Sequence, residues 1–225
     1  MRTVSRIVSV LFHPLLMPAV GLALLLYLPS VPVSYKKLDS LYFYPDEIKN
    51  IFFVVLVVLT VLAPGLSILI MKSTRMISSL ELADRSERTA PFVLILFYLL
   101  LAFVYLRYQI PEYLQHPGLL SFSFGMFVSV LIAFVINISG IKISLHAVGS
   151  FGLSGGILSY NQTQLPFNPS DEFTNLPIIA ILMVLAGLVC SFRMYAGAHT
   201  LKETLVGIAV GFFTMFFIVR MGLYF

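Results

Sequence analysis

The sequence is dominated by long apolar runs that contain no Asp, Glu, Lys or Arg. A helix needs roughly 20 apolar residues to cross the hydrocarbon core of a bilayer, and several of these runs reach or approach that length. They predict an all-α fold, a polytopic transmembrane helical bundle of about seven spans, with six as the alternative count. The predicted spans are Ile7–Leu28, Ile51–Met71, Pro91–Leu106, Gly118–Ile141, Leu145–Tyr160, Leu176–Cys190 and Leu205–Val219.

The composition excludes a soluble domain. Hydrophobic residues make up 59% of the chain and charged residues 11%, beyond the usual range of soluble domains. The net charge of +4 comes mostly from residues near span ends, where basic side chains set orientation or meet anionic lipid, so no nucleic-acid partner is expected. We expect an integral, multi-pass protein of a bacterial cytoplasmic (inner) membrane, surrounded by membrane lipids and without a cofactor.

The run Leu145–Tyr160 is the least typical span. Its glycines are Gly149, Gly152, Gly155 and Gly156. Glycine weakens a helix in water but lets helices approach closely in lipid. We therefore interpret this run as an interior span, and residues 1–225 as a single transmembrane domain.

Three connecting segments concentrate ionisable residues beside an apolar span: Lys72–Ala90, Lys142–His146 and Arg193–Glu203. Two predicted spans separate the first segment from the second, and two separate the second from the third. Because an even number of crossings returns the chain to the same side, all three segments are predicted to lie on one membrane face. If Leu145–Tyr160 were not a span, the third segment would move to the opposite face.

The third segment contains the most suggestive pair. A helix that begins near Thr200 has His199 at its N-terminus and Glu203 one turn on, within hydrogen-bonding reach. A carboxylate there fixes the tautomer of the imidazole and makes its other nitrogen more basic, as a nucleophilic or basic histidine requires. The alternative is an interface histidine with an ion pair at a helix end.

The other two segments are weaker signals alone. Lys142, Ser144 and His146 place a cation, a hydroxyl and an imidazole within one turn, which can bind an anion and give it a proton. Arg85 and Arg88 share a helix face, and arginine binds phosphate oxygens in two-point geometry. A snorkelling lysine, a buried histidine and arginines paired within their own loop are the structural alternatives.

The spacing in the third segment resembles the third motif of the type 2 phosphatidic acid phosphatase (PAP2) superfamily, a family of membrane lipid phosphatases. That motif has Ser-Arg, then His after five residues and Asp after three more. The positions in register are Arg193, Tyr195, Gly197, His199, Glu203 and Gly207. Glutamate replaces the aspartate, and Phe192 stands between Ser191 and the arginine.

The other motifs match less well. The second, Pro-Ser-Gly-His, is similar to residues 143–146, which keep the hydroxyl and the histidine but have Leu145 in place of glycine. For the first, Lys and Arg-Pro, the arginines at 85 and 88 match in chemistry but not in register. The PAP2-like region would extend from about residue 81 to about residue 211.

The resemblance implies a metal-independent phosphatase. His199 would attack phosphorus to form a phosphohistidine, with Glu203 holding it, and His146 would protonate the leaving group and then activate water. The phosphate oxygens would be bound by Arg193, Arg85, Arg88, Lys142 and Ser144. Candidate substrates are undecaprenyl pyrophosphate, phosphatidylglycerophosphate, phosphatidate and lipid A phosphate.

Two other functions stay open at this point. A non-catalytic PAP2-like protein that binds or translocates an anionic lipid is favoured by the altered first and second motifs. A metal site of His146, His199 and Glu203 would suit iron or zinc, although no HExxH helix supports it. The orientation is also open, because Arg2 and Arg6 inside would put the site in the cytoplasm, whereas PAP2 relatives usually work on the outer face.

Overall fold

The computed structural model describes residues 8–28, 40–79, 86–164 and 176–224, and within them all regular structure is helical. In these described ranges, seven long helices follow one another and pack into one bundle. They are α1 (Val8–Tyr27), α2 (Asp46–Ser73), α3 (Thr89–Gln109), α4 (Pro117–Ile138), α5 (Leu145–Gln164), α6 (Leu176–Tyr195) and α7 (Leu201–Met221). The predicted polytopic helical bundle is therefore confirmed.

Six of these helices are long and apolar enough to cross a membrane, and α5 is the exception. It has the 20 residues that a crossing needs, but it lies inside the bundle, where it contacts α1, α4, α6 and α7. Two of its serines hydrogen-bond within the helix: Ser150 Oγ donates to the His146 carbonyl at 2.6 Å, and Ser154 Oγ to the Ser150 carbonyl at 3.0 Å. A helix enclosed by other helices does not need an apolar surface.

Helices α5 and α7 run parallel and touch through glycine. A Cβ added at Gly207 would lie 2.8 Å from the Ser144 carbonyl oxygen, and one at Gly211 would overlap the backbone of Val148. Further along, a Cβ at Gly155 would overlap the backbone of Phe212. Only glycine permits this backbone contact, which brings the N-termini of α5 and α7 together at one end of the bundle.

Helices α2 and α3 pack less closely against each other than α5 and α7 do. Each contains a π-helical turn, at Val58–Leu62 and at Tyr105–Gln109, and large apolar side chains such as Leu66 and Phe97 are more than half exposed. An open cleft of about 740 Å³ separates the end of α2 from the start of α3. Its walls are mostly apolar, and its polar rim includes Glu87 and Thr89.

Several helices extend beyond the apolar runs that predicted them. Helix α6 continues past Cys190 to Tyr195, so Arg193 lies in its last turn rather than in a loop. Helix α2 already begins at Asp46. Its Lys49 can be buried because the ammonium is paired: it donates to the Tyr42 carbonyl at 3.0 Å and forms a salt bridge with the Asp46 carboxylate at 2.8 Å. The prediction of a single domain over 1–225 stays a prediction.

Candidate active site

The first turn of α7 holds the predicted histidine–carboxylate pair. Thr200 caps the helix, and its hydroxyl accepts the Glu203 N–H at 3.3 Å while Glu203 Oε2 accepts the Thr200 N–H at 3.4 Å. The same carboxylate oxygen accepts the Nδ1 proton of His199 at 2.8 Å. Because the capping box immobilises Glu203, it also fixes the orientation of the imidazole.

His199 is buried and neutral near pH 7. Burial is the largest influence and lowers its pKa to about 4, against the opposing effect of the Glu203 hydrogen bond. Positive charges on Arg193, Lys142 and Arg88 lower the pKa further. With Nδ1 donating to the carboxylate, Nε2 holds the free lone pair, and Nε2 makes no hydrogen bond to any described residue.

Arg193 reaches the site from the end of α6. The chain turns sharply after it through Gly197, whose φ of 71° is in the left-handed region that glycine tolerates, and the Ala198 N–H returns to the Arg193 carbonyl at 3.1 Å. One guanidinium nitrogen donates to Ser9 Oγ at 3.4 Å. The guanidinium also acts electrostatically on the three histidines at this end of the bundle, His13, His146 and His199.

The second predicted segment joins the third through direct contacts. Lys142 Nζ donates to the Ala198 carbonyl at 2.9 Å, and the Ser144 N–H donates to the Glu203 carbonyl at 3.4 Å. The two segments are thus adjacent, as the parity of the spans predicts. The start of α5 and the turn before α7 can be neighbours only if both α5 and α6 cross the bundle. If α5 did not cross, the turn before α7 would lie at the opposite end of the bundle.

Ser144 occupies a different place from the one expected. It is fully buried, and its hydroxyl oxygen accepts the Ala147 N–H at 3.4 Å, so it caps α5. This cap supports the position of His146, two residues later, and uses the Ser144 oxygen only as an acceptor, so its hydroxyl proton can still be donated. The expected hydrogen bond from Ser144 to phosphate stays a prediction.

His146 is held by a backbone group that the sequence did not indicate. Its Nε2 lies 3.1 Å from the Ser9 carbonyl oxygen. Because a carbonyl oxygen only accepts, Nε2 carries a proton, and Nδ1 is the nitrogen free to take up or release one. Ser9 thus orients His146 much as Glu203 orients His199.

The first predicted segment is partly in place. Arg88 is buried, and its guanidinium donates to the Ile143 carbonyl at 3.4 Å, next to the start of α5. The neighbouring Glu87 accepts both the N–H and the hydroxyl of Ser78, at 3.0 and 2.8 Å. The prediction for Arg85 falls outside the described residues.

Two residues at the site were missed by the sequence reasoning, Ser9 and His13 of α1. The imidazole of His13 meets that of His146 edge to face, with ring centroids 5.8 Å apart. The sequence did contain a signal for His13, because it is an ionisable residue, followed by Pro14, inside an apolar run. An ionisable residue within a membrane span invites a functional interpretation.

The site gathers chemical groups suited to a phosphoryl group. It offers one imidazole with a free lone pair, a second that can exchange a proton, and the three cations Arg193, Lys142 and Arg88. Among the described residues, no group of three His, Cys, Asp or Glu side chains is arranged to hold a metal ion. The arrangement is that of a polytopic membrane protein with two oriented histidines and three cations at one bundle end.

Comparison with known families agrees with this class. The family model of the PAP2 superfamily matches residues 137–225, which include His146, Arg193, His199 and Glu203. This part of the chain is similar to the PAP2 superfamily, and the resemblance inferred from the motifs is confirmed. The similarity supports a phosphatase-type activity in general. No curated protein and no solved structure matches the chain.

Proposed function

We propose that this protein is a membrane phosphatase that hydrolyses a lipid phosphate or pyrophosphate through a phosphohistidine on His199. The observation that carries the proposal is the 2.8 Å contact between His199 Nδ1 and Glu203 Oε2. It directs the proton to Nδ1 and leaves Nε2 as a nucleophile beside three cations. No metal or other cofactor is needed for these steps.

In the first step, His199 Nε2 attacks phosphorus, and the bond from phosphorus to the leaving oxygen breaks. His146, protonated at Nδ1 in the anionic complex, gives this proton to the leaving alkoxide or phosphate. Glu203 stabilises the positive charge that develops on the His199 ring. Arg193, with Lys142, neutralises the equatorial oxygens, whose charge is greatest in the transition state.

In the second step, water replaces the departed group. His146 Nδ1 removes a proton from the water as its oxygen attacks phosphorus, and the bond from phosphorus to His199 Nε2 breaks. Inorganic phosphate leaves, and His146 is again protonated for the next cycle. The first step consumes the proton that the second restores, so the reaction balances with one water per phosphate released.

A lipid substrate is favoured by the position of the site. The cations lie at the bundle end, where a headgroup phosphate would be, and the apolar cleft between α2 and α3 has its polar rim at Glu87 and Thr89. These two residues flank Arg88 in sequence. A lipid chain in the cleft would place its phosphate next to the basic site without leaving the bilayer.

A second candidate function is binding or translocation of an anionic lipid without hydrolysis. The full burial of Ser144 favours it, because a hydroxyl without exposed surface is poorly placed to donate to a reacting phosphate. The two functions share their ligand but differ in whether a covalent intermediate forms.

His199→Ala tests the proposal most simply. The purified variant and wild type would be compared for phosphate release from a panel of lipid monophosphates and diphosphates in mixed micelles. We expect release to fall by at least about 10⁴-fold, because no other group replaces the nucleophile. The matched control is Lys202→Ala, an exposed neighbour on the same helix turn, which should keep wild-type activity.

Circular dichroism and gel filtration would verify that both variants fold. A folded His199→Ala protein that still releases phosphate at the wild-type rate contradicts the nucleophile assignment. If wild type releases phosphate from no member of the panel, the enzyme proposal fails and the lipid-binding alternative stands.

A further inference from the structure

The first membrane span is broken at a histidine. His13 has an extended backbone, with φ −61° and ψ 135°, and Pro14 begins a new helical turn directly after it. His13 Nδ1 accepts the Leu15 N–H at 3.3 Å and so caps this turn. Capping alone does not explain the residue, because Ser, Thr, Asp and Asn are the side chains that favour this position.

The capping bond fixes the protonation of the imidazole. A ring nitrogen that accepts an N–H carries no proton, so neutral His13 holds its proton on Nε2. This Nε2–H makes no hydrogen bond to any described residue. The side chain is only partly buried, which leaves the donor available to a ligand.

The donor lies beside the residues that the proposed reaction uses. The His13 ring contacts the His146 ring at 5.8 Å and 77°, and Arg193 acts on it electrostatically. One turn earlier, Ser9 bonds both His146 and Arg193. None of this part of α1 lies within the residues that match the PAP2 superfamily.

We propose that His13 is a further residue of the active site, whose Nε2–H donates a hydrogen bond to the leaving-group oxygen of the bound phosphate. This inference rests on the proposed phosphatase function. In the proposed reaction, His146 gives its proton to the same oxygen. Because the His13 ring packs against the His146 ring, the His13 Nε2–H lies on the side of the phosphate from which the leaving group departs. The break in α1 at His13 allows the helix to present this imidazole to the site.

A pair of substitutions separates the donor from the cap. In His13→Asn the amide oxygen can still accept the Leu15 N–H, because Asn is a favoured capping residue, but nothing replaces the Nε2–H. In His13→Gln the longer amide places an N–H near the former Nε2. We expect the Asn variant to fold as wild type and the Gln variant to recover part of the lost activity.

Single-turnover kinetics give the decisive readout. Removing one hydrogen bond to developing charge costs about 10- to 100-fold, so His13→Asn should slow phosphorylation of His199 by that factor. Hydrolysis of the isolated phosphoenzyme should change less than about twofold, because the leaving group has gone. Equal slowing of both steps would mean that His13 only positions His146 and Arg193, which overturns the proposal, as would wild-type rates in both steps.

A binding measurement keeps this inference separate from the phosphatase proposal. If wild type forms no phosphoenzyme, calorimetric titration with orthovanadate, a phosphate mimic with a full set of ligand oxygens, can replace turnover. Weaker binding to folded His13→Asn than to wild type, with recovery in His13→Gln, supports the contact even though the phosphatase proposal has failed. Equal affinity in wild type and His13→Asn overturns it.

Discussion

The helix pair α5/α7 and the helix pair α2/α3 are built on opposite principles. The first pair is in backbone contact through Gly207 and Gly211, and its two N-termini hold His146 and His199 in defined positions. The second pair is separated at one end by an open apolar cleft, and each of its helices contains a π-helical turn. Under the proposed function, the rigid pair would hold the reacting groups in place, whereas the loose pair would accommodate a variable lipid chain.

The largest expected effect comes from breaking the rigid pair. Gly211→Ala puts a methyl group into the backbone of Val148, so α7 must move away from α5. We expect a loss of about 3 kcal/mol in stability, typical of overpacking at a site that cannot adapt, and loss of phosphate release. Gly65→Ala in α2 is the matched control, because a Cβ there meets nothing within 4 Å. Thermal unfolding in detergent would compare the two, and equal melting temperatures would contradict the contrast.

The next effect tests the carboxylate. Glu203→Gln keeps the capping box, since glutamine also serves at that position, but a neutral amide no longer favours the proton on His199 Nδ1 or stabilises positive charge. We expect kcat to fall by about 10²- to 10⁴-fold, as when the carboxylate of a histidine–carboxylate pair is neutralised. Glu47→Gln, exposed at the start of α2, should leave kcat unchanged. A Glu203→Gln enzyme with wild-type kcat would remove the carboxylate from the mechanism.

The titration of His199 gives a prediction in pH. Burial lowers its pKa from 6.5 to about 4, so the neutral, nucleophilic form should persist as the pH falls from 7 and be lost only near pH 4. NMR of ¹⁵N-histidine-labelled protein would follow the titration, with His199→Gln identifying the signal. Arg193→Gln should move the midpoint upward, because the guanidinium disfavours the imidazolium. A midpoint near 6.5 in wild type would show that the imidazole is not buried as described.

The smallest expected effect comes from filling the cleft between the loosely packed helices α2 and α3. Val93→Trp fills part of the cleft between α2 and α3 and should raise KM for a long-chain lipid phosphate by about 10-fold, the low end of the range for steric changes in apolar pockets. KM for a short-chain analogue should change less. Leu100→Trp, on α3 outside the cleft lining, is the control. The same KM change in both variants, or in neither, would remove the cleft from substrate binding.

The sequence predicted the local geometry of His199 and Glu203 and the meeting of the polar segments at one bundle end well. The spacing of His199 and Glu203, four residues apart at a helix start, produces their hydrogen bond through helix geometry alone. The count of spans placed three polar segments together, and the structure joins them through Lys142 and Arg88. The glycines of α5 predicted close packing, although not that α7 would be the partner.

The sequence predicted tertiary contacts of α1 poorly. His13 and Ser9 reach the site because α1 packs on α5, where a Cβ at Gly149 would lie 3.2 Å from Met17, and no pattern within either helix specifies that contact. The cap at Ser144 was also not predicted, since a serine before a helix can bind a ligand, cap the helix or do both, and only the structure shows that it caps α5. In both cases the partner lies elsewhere in the fold or in the backbone.

The most direct test of the whole account is to identify the residue that becomes phosphorylated. Purified wild type would be mixed with a lipid phosphate labelled in its phosphorus, quenched in alkali to preserve phosphohistidine, and digested for mass spectrometry. The proposed mechanism predicts phosphate on His199, absent from His199→Ala and slower to appear in Glu203→Gln. Phosphate on another residue, or steady release from wild type with no labelled intermediate at any time, would contradict it.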